Sequence, residues 1–325
     1  MKDPLVSVVL GSYQGEKYIA AQIESILGQT VRDLELIVSD DASKDRTAEI
    51  VRSFARSDAR VRLITHDTNR GITQNFLDAL AQCSGEYTAY SDQDDLWKPH
   101  KLERLAALLK KNPRRTLVYS DLAVSDDSLK TVHKSFFAST GEKPRAGDLS
   151  GVALLKNIPP GCSMLFGRPV RDRVGEIWSN AAFRAENLPS VLDETPFMHD
   201  YLVFVVSALM GEIAYLDDRL VFYRQHASNN IGAFYRAQGG RARFIVLLKK
   251  KLRMLDQAAP GLVGNSRDIE DFARVYSGDG KFGERRLHLN KFIFLRKNTA
   301  KDRSLGCLEC FFPKMYDRLK ERAKP

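Results

Sequence analysis

The sequence predicts an α/β fold: a mostly parallel sheet flanked by helices, with a helical C-terminal extension. Apolar, β-rich runs alternate with helix-length amphipathic stripes through the first 120 residues, the pattern of βαβ units. Three of those runs end in Ser and Asp, the polar punctuation of strand ends. Past residue 232 the strand signals stop, and the chain turns basic with its apolar residues at helical spacing.

Each element follows from its residues. "LVSVVLGSY" is the first strand. "EKYIAAQIESILGQ" carries Ile19, Ile23, Ile26 and Leu27 as a helical stripe that Gly28 stops. "LELIVSDDAS" is the second strand and "DRTAEIVRSFARSD" the second helix. Then come strand "VRLIT", helix "ITQNFLDALAQC", strand "YTAYSD", helix "KPHKLERLAALLKKN" and strand "TLVYSD". From about residue 150 the pattern loosens: "NIPPGCSMLFGRPV" reads as a Pro/Gly-rich loop. "HDYLVFVVSALMGEIAYLDDRLVFYRQHASNN" reads as a helix of three turns, two strands and a polar loop. In the tail, Phe244, Leu248, Leu252 and Leu255 share one helical face, "KFIFLRK" is an apolar patch between cations, and Leu308, Phe311, Met315 and Leu319 recur at helical spacing around Pro313. This divides the chain into a domain over 1–232 and a basic, largely helical extension over 233–325.

Composition narrows the function. An apolar share of 43% and a charged share of 28% are ordinary for a globular protein. Cys83, Cys162, Cys307 and Cys310 are too few and scattered for a disulfide framework, and Cys307-x-x-Cys310 lacks the second ligand pair a zinc site needs. No secretory signal is visible, and no stretch approaches the ~20 apolar residues of a membrane span, so a cytoplasmic location is expected. The net charge of +9 is uneven: residues 233–325 hold 22 Lys+Arg against 10 Asp+Glu, the remainder 28 against 31. Such a tail suits a polyanionic surface, the inner face of an anionic membrane, where the chain would be peripheral. No nucleic-acid motif accompanies the charge, so nucleic acid is not an expected partner.

In open parallel sheets the ligand sits outside the carboxyl ends of the strands. Here those ends are Ser39-Asp40-Asp41, Ser91-Asp92 and Ser120-Asp121. Asp45 and Asp121 read as turn or cap residues. Asp92, Asp94 and Asp95 do not, because one cap needs one carboxylate. Crowded like charges raise the cost of ionising them all, so a positive partner is expected there. Asp-x-Asp is a hard oxygen site suited to Mg2+ or Mn2+ bridging to a diphosphate.

Taken in order, these segments resemble family 2 of the inverting glycosyltransferases, which have the Rossmann-related GT-A fold. The resemblance spans roughly residues 5–232. It is carried by "VSVVLGSYQGEKYIAAQIESILGQT", "LELIVSDDASKDRTAEIV", "NRGITQNFLDAL", "AYSDQDDLWKPHKLE", "PPGCSMLF" and "MHDYLVF". "SDQDDLWKPHKLE" with "YRQHASNNIG" is most similar to the bacterial polysaccharide rhamnosyltransferases. The resemblance implies a sugar moved from a nucleotide-diphosphate donor, dTDP-L-rhamnose, to a saccharide or lipid-linked saccharide acceptor. It implies that Asp41 takes the N3–H of a pyrimidine, that Ser12 and Tyr13 frame the nucleotide, and that Arg70 steadies the base or diphosphate. Asp92 would touch ribose or metal, Asp94 would be the main metal ligand, and His226 would ligate metal or phosphate. Asp200 would be the general base that takes the acceptor proton. Where the family often has Glu-Asp this chain has His199-Asp200, and the Gln-x-x-Arg-Trp motif of processive polymerases is absent. A nucleotidyltransferase would want a Gly-rich loop with Arg or Lys after the first strand, which "GSYQGEKY" lacks. A nucleotide-sugar-binding regulator would need no base. An oligomer is compatible with the sequence.

Overall fold

The computed structural model describes residues 5–154, 156–187, 197–226 and 241–262. They fall into two compact units, Met1–Leu149 with Asn157–Gln238, and Ser150–Lys156 with Gly239–Pro325.

The first unit runs β1 (Val6–Ser12), α1 (Ile19–Leu27), β2 (Leu34–Asp40), α2 (Thr47–Ser57), β3 (Val61–Thr65), α3 (Ile72–Leu80), β4 (Tyr87–Asp92), β5 (Leu96–Trp97), α4 (Lys101–Lys110), β6 (Arg115–Ser125), β7 (Thr131–His133) and α5 (Phe136–Thr140). The second unit contributes α6 (Ser150–Ala153). The first unit resumes with a 3-10 turn (Gly161–Ser163), β8 (Met164–Gly167), α7 (Arg168–Ser179), α8 (Ala181–Asn187), α9 (His199–Met210) and β9 (Glu212–Arg224). In the second unit, α10 (Arg241–Ala258) buries Leu252 and Leu255 of the predicted stripe; Phe244 and Leu248 lie outside the described side chains.

The strands form one mixed sheet, ordered β3-β2-β1-β4-β8-β6-β9-β5, with β7 on β6. β3, β2, β1 and β4 are parallel, as the βαβ alternation predicts. β8 enters antiparallel between β4 and β6, and β9 runs parallel to β6. The core strands are buried on both faces, which is why they read as nearly unbroken apolar runs. Val6, Val8 and Leu10 of β1 face α1, α2 and α4 through Ile19, Ile23, Val51, Leu102 and Leu105. α3, α7 and α9 pack together elsewhere on the sheet, where Phe76, Tyr90, Phe166 and His199 form an aromatic group.

Two sequence expectations are corrected. The "NIPPGCSMLFGRPV" loop contains β8, a central strand; four residues between Pro and Gly segments are too few to show a period. The two strands expected after α9 are one, β9. Its register against β6 jumps from Ser120↔Leu216 to Asp121↔Arg219, so the "LDDR" that looks like a turn is a bulge.

Candidate active site

Register builds the site. Ser12 is level with Asp40 and Gly11 with Asp92, so the ends of β1, β2 and β4 lie side by side at one sheet edge. Ser12 is buried, its hydroxyl 3.0 Å from Asp40 Oδ1, so it braces the edge from within. Asp40 also accepts from the Ser43 amide at 3.0 Å and closes the turn after β2. Tyr13 stands at the rim with 44% of its surface exposed.

Asp41 is buried, and both its oxygens receive main-chain donors, Arg70 N at 2.7 Å and Gly71 N at 2.9 Å. Its carboxylate thus fixes the entry to α3, where Gly71 adopts φ +84°, a conformation that favours glycine. Each oxygen keeps a second lone pair for a ligand. The Arg70 guanidinium lies 3.3 Å from Asp78 on α3. Asp45 accepts from Thr47 N at 3.0 Å, in the turn role expected. Asp121 does not end a strand as expected: β6 runs on to Ser125, and the buried Asp121 carboxylate receives the amides of Phe136 at 3.1 Å and Phe137 at 3.3 Å from the start of α5. Asp121 also pairs with Arg219 at 3.3 Å.

Asp94 and Asp95 occupy the turn from β4 to β5. Arg224, at the end of β9, clamps that turn: Nε donates to Asp94 O at 2.7 Å and its amide to Asp95 Oδ1 at 3.2 Å. Two residues on, His226 Nε2 meets Asp94 Oδ2 at 2.8 Å. The two predicted metal ligands are therefore in contact, with side chains only 10% and 14% exposed. The His226 ring stacks on Tyr18, centroids 4.8 Å apart, and Tyr18 hydrogen-bonds Asp127.

A positive partner for the acidic turn was expected, and it is Lys101, which the sequence reading did not single out. It is fully buried at the start of α4, donates to Cys162 O at 2.6 Å and lies over the Trp97 ring. Burial raises the carboxyls of Asp92 and Asp95, with the neighbouring carboxylates adding to the shift, while burial lowers the Lys101 ammonium to about 7 against their attraction.

Asp92, Asp95 and Cys162 could bring ligand atoms within 4.8 Å of one another. That cluster fits a hard dication poorly. A thiol is a soft ligand that suits Mg2+ and Mn2+ badly, and the Lys101 ammonium already lies near both carboxyls. Asp94 with His226 offers an oxygen and a nitrogen already in contact, both slightly exposed, and fits better. Carboxylate suits Mg2+ and Mn2+ alike, whereas imidazole favours the softer Mn2+.

Gln93, the middle residue of Asp-x-Asp, was also missed. Its amide accepts from Tyr13 N and donates to Tyr13 O, both at 2.9 Å, tying the rim of β1 to the end of β4.

Asp200 lies in the first turn of α9, where the helix dipole favours a carboxylate. Oδ1 accepts from Tyr201 N at 2.7 Å and Oδ2 from Asn157 Nδ2 at 3.1 Å. A side chain on Gly161 would put its Cβ 3.1 Å from Asp200 Cβ, so a glycine there lets the "PPGCS" turn close on the carboxylate. Asp200 is near enough to help raise the Asp92 carboxyl, so the two carboxylate centres share one region. His199 lies parallel on Phe76 at 3.9 Å, and burial lowers its pKa against the pull of Asp200.

Residues 7–174 match the model of the family described as glycosyl transferase family 2. An uncharacterized glycosyltransferase of Haemophilus influenzae is 30% identical over 243 residues, covering 74% of this chain and 72% of that protein. The Escherichia coli protein named UDP-Glc:alpha-D-GlcNAc-diphosphoundecaprenol beta-1,3-glucosyltransferase WfgD is 40% identical over 112 residues, 34% of this chain and 44% of that one. Among solved structures, S. aureus TarS residues 1–349 in complex with UDP-GlcNAc superposes with a TM-score of 0.51 at 18% identity, over 89% of this chain and 80% of that one. The GT-A-like fold is thus shared. Among the described residues no helix is long and apolar enough to cross a membrane.

Proposed function

The chain belongs to glycosyl transferase family 2, and on that footing we propose that it is an inverting transferase that moves a sugar from a nucleotide-diphosphate donor to a saccharide or lipid-linked saccharide during surface polysaccharide synthesis. The observation that carries this reading is the nearness of two carboxylate centres, Asp94 with His226 in the β4–β5 turn and Asp200 against the Gly161 turn. The donor side comprises Asp41, Ser12, Tyr13, Arg70 and Asp92. Asp94 and His226 would hold Mg2+ or Mn2+. When bound, the cation supplies Lewis-acid stabilisation of charge on the diphosphate.

Asp200 takes the proton of the acceptor hydroxyl as its oxygen bonds to the anomeric carbon. The bond from that carbon to the diphosphate oxygen breaks, the nucleoside diphosphate leaves with the electron pair, and the configuration inverts. The Tyr201 amide and the Asn157 side-chain amide each donate one hydrogen bond to the Asp200 carboxylate and orient it.

The proposed donor is dTDP-L-rhamnose, on the resemblance of "SDQDDLWKPHKLE" and "YRQHASNNIG". The name of WfgD supports a lipid-linked acceptor. Residues 1–232 are proposed as the catalytic domain, and the extension over 233–325 as a peripheral contact with an anionic leaflet.

The test is a panel of nucleotide sugars with Mn2+, reading release of nucleoside diphosphate. Slow hydrolysis of dTDP-L-rhamnose is expected. Turnover of another sugar nucleotide alone would overturn the rhamnose assignment, and turnover of none would overturn the transferase reading. Pyrophosphate formed from a nucleoside triphosphate and a sugar phosphate would favour a nucleotidyltransferase. For the tail, full-length protein should sediment with anionic vesicles at low salt and a chain ending at residue 233 should not; equal behaviour of the two would exclude the anchor.

A further inference from the structure

We infer that Asn157 is a positioning residue for Asp200, an amide that fixes how the carboxylate faces while leaving its own carbonyl oxygen without a partner. This rests on the reading of Asp200 as the base.

Asn157 Nδ2 donates to Asp200 Oδ2 at 3.1 Å, while Oδ1 takes its own helix amide, Tyr201 N, at 2.7 Å. Each oxygen thus receives one donor, and among the described residues only the Asn157 bond ties the carboxylate to a different segment of chain. Asn157 Oδ1 is buried and has no hydrogen-bond partner among the described residues. A buried acceptor left unpaired is costly and rare in folded proteins. Turning the amide over would not help, because a carbonyl oxygen would then face a carboxylate that can only accept. The orientation of the amide is therefore set by Asp200, and the unpaired oxygen is its consequence.

The same loop touches Asp200 twice. Gly161 closes on Asp200 Cβ, and Pro159 and Pro160 lie between it and Asn157. Proline fixes φ, so the spacing between the two contacts is stiff. The other groups that sense Asp200 electrostatically are Asp92 and Tyr90 on β4 and its neighbour His199 on α9. Asp92 repels the carboxylate, and the Tyr90 hydroxyl and His199 Nδ1 have no hydrogen-bond partner among the described residues. The amide of Asn157 is what opposes a turn of the side chain away from an incoming hydroxyl.

The test compares Asn157→Leu, Asn157→Ala and Asn157→Asp with Asp200→Asn in the full chain, reading kcat, donor KM, thermal midpoint and the pH profile. Asn157→Leu and Asn157→Ala should lower kcat by about 10- to 100-fold, the scale of a misplaced reacting group. Donor KM should stay unchanged, and the midpoint should change little, since loss of the Asn157–Asp200 bond is offset by removal of the unpaired buried oxygen. Combining Asn157→Leu with Asp200→Asn should add no further loss. Asn157→Asp should move the acid limb of kcat/KM to higher pH, because a second carboxylate opposes ionisation of the first. If kcat stays near wild type in the Leu and Ala variants while Asp200→Asn is inactive, the inference is overturned and the base reading stands. A fall in kcat matched by a fall in midpoint, with the pH profile fixed, assigns Asn157 a structural role and also overturns it. An active Asp200→Asn removes the base reading itself.

Discussion

Lys101 Nζ and the main-chain oxygen of Cys162 are 2.6 Å apart, and through them the acidic β4–β5 turn is linked to the turn that faces Asp200. The ammonium is fully buried, with Asp92 and Asp95 as its nearby negative charges. Removing one partner of such a group leaves uncompensated buried charge at a cost of about 3–5 kcal/mol. Lys101→Met should lose stability on that scale in urea unfolding, and Asp95→Asn in the same chain should restore part of it. A Lys101→Met protein as stable as wild type would contradict the role of Lys101 as counter-charge.

The contact of Asp94 with His226 predicts a shared cation. Asp94→Asn should abolish metal-dependent donor binding with the fold intact, read by Mn2+ titration in the presence of donor nucleotide. Tyr18→Leu, which removes the ring under His226, should weaken Mn2+ binding by about 10-fold, as loss of an outer support does. Donor affinity unchanged by Asp94→Asn and by chelator would sink this assignment.

His199 gives a pH signature. Burial holds its folded pKa below the ordinary 6.5. As pH falls through that ordinary value the unfolded chain takes up a proton that the folded chain does not. Stability is therefore full above it and declines toward acid, by up to about 1.4 kcal/mol per pH unit within the window between the two pKa values. His199→Phe, which keeps a ring on Phe76, should lose less stability than wild type between about pH 7.5 and about pH 5. Equal losses would show that His199 does not resist protonation in the fold.

The parallel half of the sheet was legible because each strand is apolar on both faces and each intervening helix carries its own stripe, as in Ile19, Ile23 and Ile26. β8 was not, because four residues fix no period and its place between β4 and β6 depends on partners far away in sequence. Asp92 and Asp94 stood out because one cap needs one carboxylate and three crowd together there, whereas Asp200, an ordinary carboxylate for a helix start, stood out only through the family resemblance. Lys101 was hidden inside an ordinary amphipathic helix: "KPHKLERL" offers several cations, and only the packing of α4 decides which is buried. Gln93 was hidden for the converse reason, since the carboxylates on either side drew the chemical argument. Asn157 carried no signal at all, because its role exists only once its loop meets α9. The bulge in β9 shows the remaining limit, for two aspartates in a strand read as a turn until the register is known.

Asp200 is the proposed acceptor of the proton from the acceptor hydroxyl. Asp200→Asn keeps the shape and the Tyr201 contact but removes the base, so donor binding should persist while transfer falls by about 100-fold or more, the scale of a positioned general base. The direct measurement is single-turnover transfer from a donor that the protein is shown to bind, with wild type and Asp200→Asn side by side at saturating donor. Normal donor affinity with transfer lost is expected; near-normal transfer in Asp200→Asn would exclude Asp200 as the base.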